Sequence, residues 1–311
     1  MTRLFIIFLF SQLTLAQDVH YSQFDKTKSL LNPSLISSLN DDYEIQIQRR
    51  SQWSSVSIPF TTFTISFNAK DVYKKTSLAG TILSDKAGDS YFSTNGVSFS
   101  VANTFLINDN LLSIGLQSAL YQRSVNYDAL IFLENENLQN PKFLFFDIGL
   151  GLSNYKILNS NSALLLGISY FHINKPRQSL VSNNQVLLKP KYILHSTYYT
   201  AISSQINISP TLYSSSQDQA KEFIIGTDFI YKLNDEFNFI SGIYSRINDA
   251  FFLTIGVQKA KVEAIISYDI NTSTLANASN FLGGVEFSIS YGWSVFKQSK
   301  DIKNRICPIY L

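Results

Sequence analysis

From Tyr43 almost to its C-terminus, the chain alternates apolar and polar residues in one run after another. Tyr43, Ile45 and Ile47 stand against Glu44, Gln46 and Gln48. Phe63, Ile65 and Phe67 stand against Thr64, Ser66 and Asn68, and Val97, Phe99 and Val101 against Ser98, Ser100 and Ala102. A period of two gives a strand two unlike faces. The pattern recurs over 112–117, 144–152 and 163–170, where the second face carries Gly, Ser, Asp and Gln rather than the packed side chains of a core. In a soluble sandwich the apolar face would meet another sheet. In a membrane barrel it meets lipid, and the small polar face lines a lumen. The persistence of the alternation, with Tyr and Phe gathered at the run ends, favours the barrel.

Composition agrees. Of the 311 residues 45% are hydrophobic and only 15% charged, against about 25% charged in an average soluble domain; such a surface need not be wet. The length suits one closed barrel. No segment beyond the N-terminal leader holds an apolar run of about 18 residues, so any membrane crossing is by strands. The net charge of +2 provides no basic field for nucleic acid, which is excluded as a partner. The single cysteine, Cys307, forms no intramolecular disulfide and no cysteine metal cluster. The opening MTRLFIIFLFSQLTLAQ reads as an export signal over 1–16, with Arg3 as its positive start and Thr14-Leu15-Ala16 as the cleavage site. It is too short, and too interrupted by Ser11, Gln12 and Thr14, to anchor in a bilayer. No Cys follows the signal, so a lipid-modified N-terminus is not expected.

The alternation predicts an all-β fold, a transmembrane antiparallel β-barrel of about fourteen strands. They lie near 42–54, 59–70, 76–85, 92–105, 110–123, 142–154, 162–173, 190–204, 206–216, 221–233, 236–246, 250–258, 260–270 and 280–297. The long gaps, 85–91, 124–141, 173–189 and 271–279, all follow odd-numbered strands and so share one side, whereas gaps after even strands are mostly short. Bacterial outer-membrane barrels have this asymmetry, with long loops outside and short periplasmic turns. The chain then divides into a signal peptide (1–16), an N-terminal segment without alternation that is either a periplasmic arm or an inserted plug (17–41), the barrel (42–297) and a periplasmic tail (298–311). Arg49 and Arg50 point to opposite faces. A lipid-facing Arg at mid-depth costs roughly 2–4 kcal/mol, so the outward one is expected near the headgroups and the other in the lumen. Trp53 is expected at the outer rim, where an indole suits the interface.

Residues for chemistry are sparse. His20, His172 and His195 are far apart and lack zinc-ligand spacing. A barrel hydrolase would need Ser, His and an orienting group converging at one rim, and the many serines select no such set. The Asn-X-Ser triplets at 207, 271 and 277 are cheap in a Ser/Asn-rich chain. Gly149-Leu150-Gly151 lies within a strand pattern, so it is no phosphate loop and instead relieves crowding inside the barrel. No catalytic residue, cofactor or metal is expected.

Several short motifs stand in a definite order along the chain. They are Gln17-Asp18, Ser22-Gln23-Phe24, Asn32-Pro33, a basic residue before Gln52-Trp53, and Phe60-Thr61-Thr62. Further on come FDIGLGLSNY, containing Asp147, Gly149 and Gly151; GISYFHINKP, containing His172 and Pro176; SYDI, containing Tyr268 and Asp269; and CPIY, containing Cys307 and Pro308. In these the chain resembles the PorP/SprF family of type IX secretion system outer-membrane proteins. It departs from the family at Ser34, where Ala is common, at Arg50-Ser51 in place of Arg-Asn, and at Val285-Glu286, which keeps only the Glu of a frequent His-Glu pair. The resemblance implies a barrel that helps export and retain specific surface proteins with a C-terminal sorting domain, gliding adhesins among them. The implied partners are the secretion components of periplasm and outer membrane, the cargo, and outer-membrane lipid, with these motif residues structural or partner-binding. Loops 124–141 and 173–189 are the expected outer docking surface, and 17–40 the expected contact with periplasmic components. Without the resemblance, the pattern fits equally a channel for small or hydrophobic solutes. A sealed lumen favours the first reading and an open pore the second.

Overall fold

A computed structural model describes residues 18–52, 58–88, 92–108, 110–129, 140–178, 186–273 and 282–295. The signal peptide, Gln17, Trp53, Cys307, Pro308 and the tail from 298 lie outside the described residues. Fourteen antiparallel strands close into a single barrel. They are β1 (Tyr43–Gln52), β2 (Phe60–Tyr73), β3 (Thr76–Ala87), β4 (Phe92–Ile107), β5 (Asn110–Ser124), β6 (Lys142–Asn159), β7 (Ser162–Phe171), β8 (Lys191–Ala201), β9 (Ile206–Gln217), β10 (Ala220–Lys232), β11 (Phe237–Arg246), β12 (Ala250–Lys259), β13 (Val262–Asn271) and β14 (Leu282–Trp293). Each strand pairs with its sequence neighbours, and β1 pairs with β14 to complete the ring. Closure leaves no unpaired edge, which a strand protein in lipid requires.

Register assigns the two faces. Ile82, Val97, Phe99, Leu116 and Leu144 point outward and are exposed, whereas Gln48, Thr64, Ser66, Ser100, Gln117 and Ser267 point inward and are buried. A row of exposed apolar side chains around a closed sheet is a lipid-facing band. Aromatic side chains border it. Tyr43, Phe67, Tyr291 and Trp293 cluster at the short-turn end, with ring centroids 5.4 Å apart for both Tyr43–Trp293 and Tyr291–Trp293. At the other end Tyr170 and Tyr192 stack at 4.7 Å. Amphipathic rings settle at the headgroup level, so the two groups mark the two interfaces. Turns after even strands are short, 74–75, 108–109, 160–161, 202–205, 233–236 and 260–261. In the first of these, Lys74 and Lys75 both have positive φ, 42° and 64°, the twist that two-residue hairpins need. The long connections 125–141, 172–190 and 272–281 follow odd strands.

Residues 18–42 run inside the barrel. The segment contains one short helix, α1 (Lys28–Leu31), followed by a 3₁₀ turn over Pro33–Ser37. Its course is set by contacts at the two ends. Asp18 meets Gln217 and His172 at the long-loop ends of β9 and β7, and the Leu39 carbonyl accepts from Lys70 at the short-turn end of β2. Leu31 and Leu35 from this arm pack with Ile193, Ile224, Tyr244 and Phe252 of the wall, and Phe24 leans on Tyr213. The barrel's apolar core is therefore the contact between arm and wall.

The lipid-facing band gives a direct test. Leu116→Arg, in the middle of β5 on the outer face, is expected to cost about 2–4 kcal/mol. Denaturant titration of the protein refolded into lipid vesicles measures this.

Candidate functional site

The arm is fixed to the wall in three places. The first lies where the barrel closes. Arg50 on β1 stands opposite Glu286 on β14. Its guanidinium lies 2.8 Å from Asp269 and 3.2 Å from Glu286. All three side chains are almost wholly buried, at 3%, 2% and 0% exposure. The arm completes the cluster. Glu286 accepts the backbone N–H groups of Ser22 (2.8 Å) and Gln23 (3.0 Å) as well as the Gln48 amide (2.6 Å). Ser22 Oγ donates to Asp269 and accepts from Arg50 and Arg246. Gln23 donates to Ser267 and accepts from Ser288. Arg246 adds a second cation, 2.6 Å from Glu222 and 3.3 Å from Asp249. Buried charges hold only when paired and hydrogen-bonded, so the arm's amides and the strand charges need one another.

The second attachment is the Asn32-Pro33-Ser34 turn. Asn32 Nδ2 donates to the carbonyls of Leu152 (3.0 Å) and Ile168 (3.1 Å), and Oδ1 accepts from Ser34 N (3.0 Å). One side chain thus caps the 3₁₀ turn and ties it to β6 and β7. Pro33 occupies the first position of the turn, where a missing N–H does no harm. The wall is smooth at this point because Gly115, Gly151 and Gly167 face the turn. A Cβ at Gly115 would overlap the Pro33–Ser34 backbone, and one at Gly151 would overlap the Asn32 side chain. Gly149 instead lies under the Phe171 ring. Hydroxyl pairs extend the seal, Ser29 with Thr81 (2.8 Å), Ser34 with Ser153 (2.7 Å) and Ser37 with Ser113 (2.8 Å).

The third attachment is at the long-loop mouth. His172, just past β7 with φ at 59°, has Nε2 2.5 Å from Asp18 and Nδ1 2.9 Å from Asp147. Burial alone would depress this imidazole, but the Asp18 charge and the contacts with both carboxylates outweigh it and push its pKa up to about 9. Burial likewise opposes ionisation of Asp18, and His172 overrides it, holding the carboxyl well below its ordinary range. His20, by contrast, is kept well below its usual value by burial and by Arg50, Arg246 and Lys191. Beyond His172 the chain folds back on itself, with Leu188 N donating to the Pro176 carbonyl (2.8 Å) and Gln178 N to that of Val186 (2.8 Å). Gln178 also accepts from Arg123, whose guanidinium lies over Phe145.

Of the residues singled out in the sequence, Asp18, Ser22, Gln23, Phe24, Asn32 and Pro33 lie on the arm. Gly151, His172 and Asp269 lie where the arm touches the wall, and Asp147 backs His172 from β6. Thr62 faces inward and donates to Asp85 (2.7 Å). Gln52 and Phe60 pair at the outer end of β1 and β2, Thr61 pairs with Lys86 on the outer face, and Tyr268 faces lipid. Sequence reasoning passed over Arg246 and Glu222, marked Glu286 only as the retained half of a family pair, and left open which of Arg49 and Arg50 turned inward. Their signal was a charge on the inward parity of a strand.

Residues 13–291 match the family described as type IX secretion system membrane protein PorP/SprF. The chain belongs to the PorP/SprF family. No curated protein matches it. Among solved structures it is similar to the Ralstonia pickettii toluene transporter TbuX, at 10% identity over 84% of this chain and 91% of that one, with a TM-score of 0.51. It is also similar to a deltaS2S3 mutant of the TodX monoaromatic hydrocarbon channel, at 7% identity over 84% and 92%, with the same TM-score. At such identities the likeness is one of fold, that of an outer-membrane barrel. The PorP/SprF chain is thus a type IX secretion outer-membrane barrel, and its membership implies other secretion components as partners. The family is that of a secretion-system membrane protein, and the fold is that of an outer-membrane barrel.

Two outcomes are expected. Arg50→Ala leaves Asp269 and Glu286 buried without their cation and should destabilise the folded protein by about 3–5 kcal/mol, measurable by denaturant titration in detergent. The Asp18–His172 contact should be pH-dependent. A raised histidine pKa stabilises the docked arm fully below the ordinary value of 6.5, and this is lost as pH rises through about 9. The lowered Asp18 value makes its share present above 3.8 and lost only in strong acid. Hydrogen-exchange protection factors for 18–24 should therefore fall progressively between about pH 6.5 and 9, and His172→Gln should abolish that step.

Proposed function

We propose that this PorP/SprF barrel serves the export and surface attachment of particular proteins bearing a C-terminal sorting domain, gliding adhesins among them, by docking them at its long-loop face. The observation that carries the reading is the arm, which occupies the lumen from Asp18 at one mouth to Leu39 near the other and is bonded to the wall along its length. A barrel filled in this way is suited to holding a partner rather than passing one. Docking of a folded domain needs no catalysis, only a complementary surface whose loop contacts set specificity. Loops 125–141 and 172–190 supply that surface, although 130–139 and 179–185 lie outside the described residues. The arm's interior course leaves only the stretch near 38–42 facing the short-turn end, and periplasmic secretion components would meet the protein there.

A conduit for small or hydrophobic solutes is the competing reading, and it draws on the fold likeness to hydrocarbon transporters. The occupied lumen weighs against it.

Deleting the gene in the native host and comparing surface and secreted proteins with the parent tests the proposal. Loss of one or a few sorting-domain proteins is the expected result. Loss of all of them would make the barrel a general part of the apparatus, and an unchanged profile would move the solute conduit to the front.

A further inference from the structure

Charge is divided by face around the barrel. Among the described residues in register on paired strands, the charged side chains on the lipid-facing parity are Arg49, Lys86, Lys142, Lys156, Lys221 and Lys259, and all are cations. Every Asp and Glu in the same register, from Glu44 on β1 to Glu286 on β14, takes the lumen parity. Cations with long stems can extend to the headgroups, where lipid phosphates attract them, and a carboxylate there would be repelled.

Two of these cations lie on one cross-strand row at the long-loop ends of their strands. Lys86 on β3 is opposite Ser93 on β4, Ser93 is opposite Ser124 on β5, and Ser124 is opposite Lys142 on β6. Three strand spacings separate the lysines, about 14 Å, and both are exposed. Between them the Ser93 and Ser124 hydroxyls pair at 2.8 Å, with Asn95 and Gln122 opposite each other one row below. Leu144 stands in that same row, and lower still the face becomes apolar at Val97, Leu120 and Phe146, which are 53%, 47% and 50% exposed.

We propose that this rim of β3–β6 binds the headgroup of a doubly phosphorylated glycolipid of the outer leaflet, with Lys86 and Lys142 each taking one phosphate. The inference rests on the barrel sitting in the outer membrane with its long loops outside. A single phosphodiester can engage one lysine but cannot bridge the two. Two phosphates carried at the ends of a disaccharide reach both once the side chains lean inward, Ser124 and the amides of Asn95 and Gln122 meet the sugar hydroxyls, and the acyl chains continue down the apolar face, with the buried Ser93 holding Ser124 in place. Arg49 lies one outward-facing row further in, on β1 and two strands from Lys86, on the side away from Lys142, and Lys221 lies on β10.

The test uses the full protein purified in detergent, with binding followed by native mass spectrometry for bis-phosphorylated lipid A, its monophosphoryl form and phosphatidylglycerol. The wild type should prefer the bis-phosphorylated lipid to either competitor by roughly tenfold, the equivalent of about 1.4 kcal/mol. Lys86→Gln/Lys142→Gln should lose that preference. Lys86→Arg/Lys142→Arg should keep it, as should Lys156→Gln/Lys259→Gln at the opposite rim. Heat-modifiable migration on gels establishes that each variant is folded. Equal binding of the three lipids by the wild type, or an undiminished preference in the folded double glutamine variant, would overturn the proposal. So would an equal loss in Lys156→Gln/Lys259→Gln.

Discussion

Arg50 is the group on which most of the structure depends. It sits on the first strand, directly across the closing pair from Glu286, and it faces a space that would otherwise be wet or empty. Alone, an arginine and two carboxylates in that position would be poorly compensated, because desolvation of each charge outweighs what an imperfect pair returns. The amides of Ser22 and Gln23 supply the missing donors to Glu286. The same cluster therefore braces the closing strand pair and seats the arm.

Once the arm is inside, the wall has to suit it. The glycines at 115, 151 and 167 leave a shallow bed for the Asn32-Pro33 turn, and Asn32 satisfies two strand carbonyls that would otherwise face a side chain with nothing to offer. Serine and threonine hydroxyls fill most of the remaining contacts, since they donate and accept within a short reach. The arrangement resembles a soluble protein turned inside out, with an apolar exterior and an interior held by polar contacts around a modest cluster of Leu, Ile, Tyr and Phe. The cationic outer face follows the same rule, because an acid facing lipid headgroups has no partner whereas a lysine has many.

Much of this was legible in the residues. Alternation is a local property, so the fourteen strands, their lipid-facing sides and the odd-even difference in connection length followed from periodicity, and the predicted run at 206–216 is β9. The motif residues Ser22, Gln23, Asn32, Asp147, Gly151 and Asp269 were visible as motifs, but nothing in their spacing said that they meet. Ser22 and Asp269 are separated by most of the chain and are joined only because β13 and β14 return beside β1.

By itself, then, the sequence determined what each strand offers to either side, because side-chain direction within a strand is set by the backbone's own period. It also determined the family, through short motifs in a fixed order. Only the tertiary structure decided where residues 18–42 go, which of two adjacent arginines is buried, and how His172 comes to lie between Asp18 and Asp147. The reason is physical. A segment without periodicity carries no record of its surroundings, and its place is settled by the unpaired charges and cleared glycine surface that appear only when distant strands close into a ring.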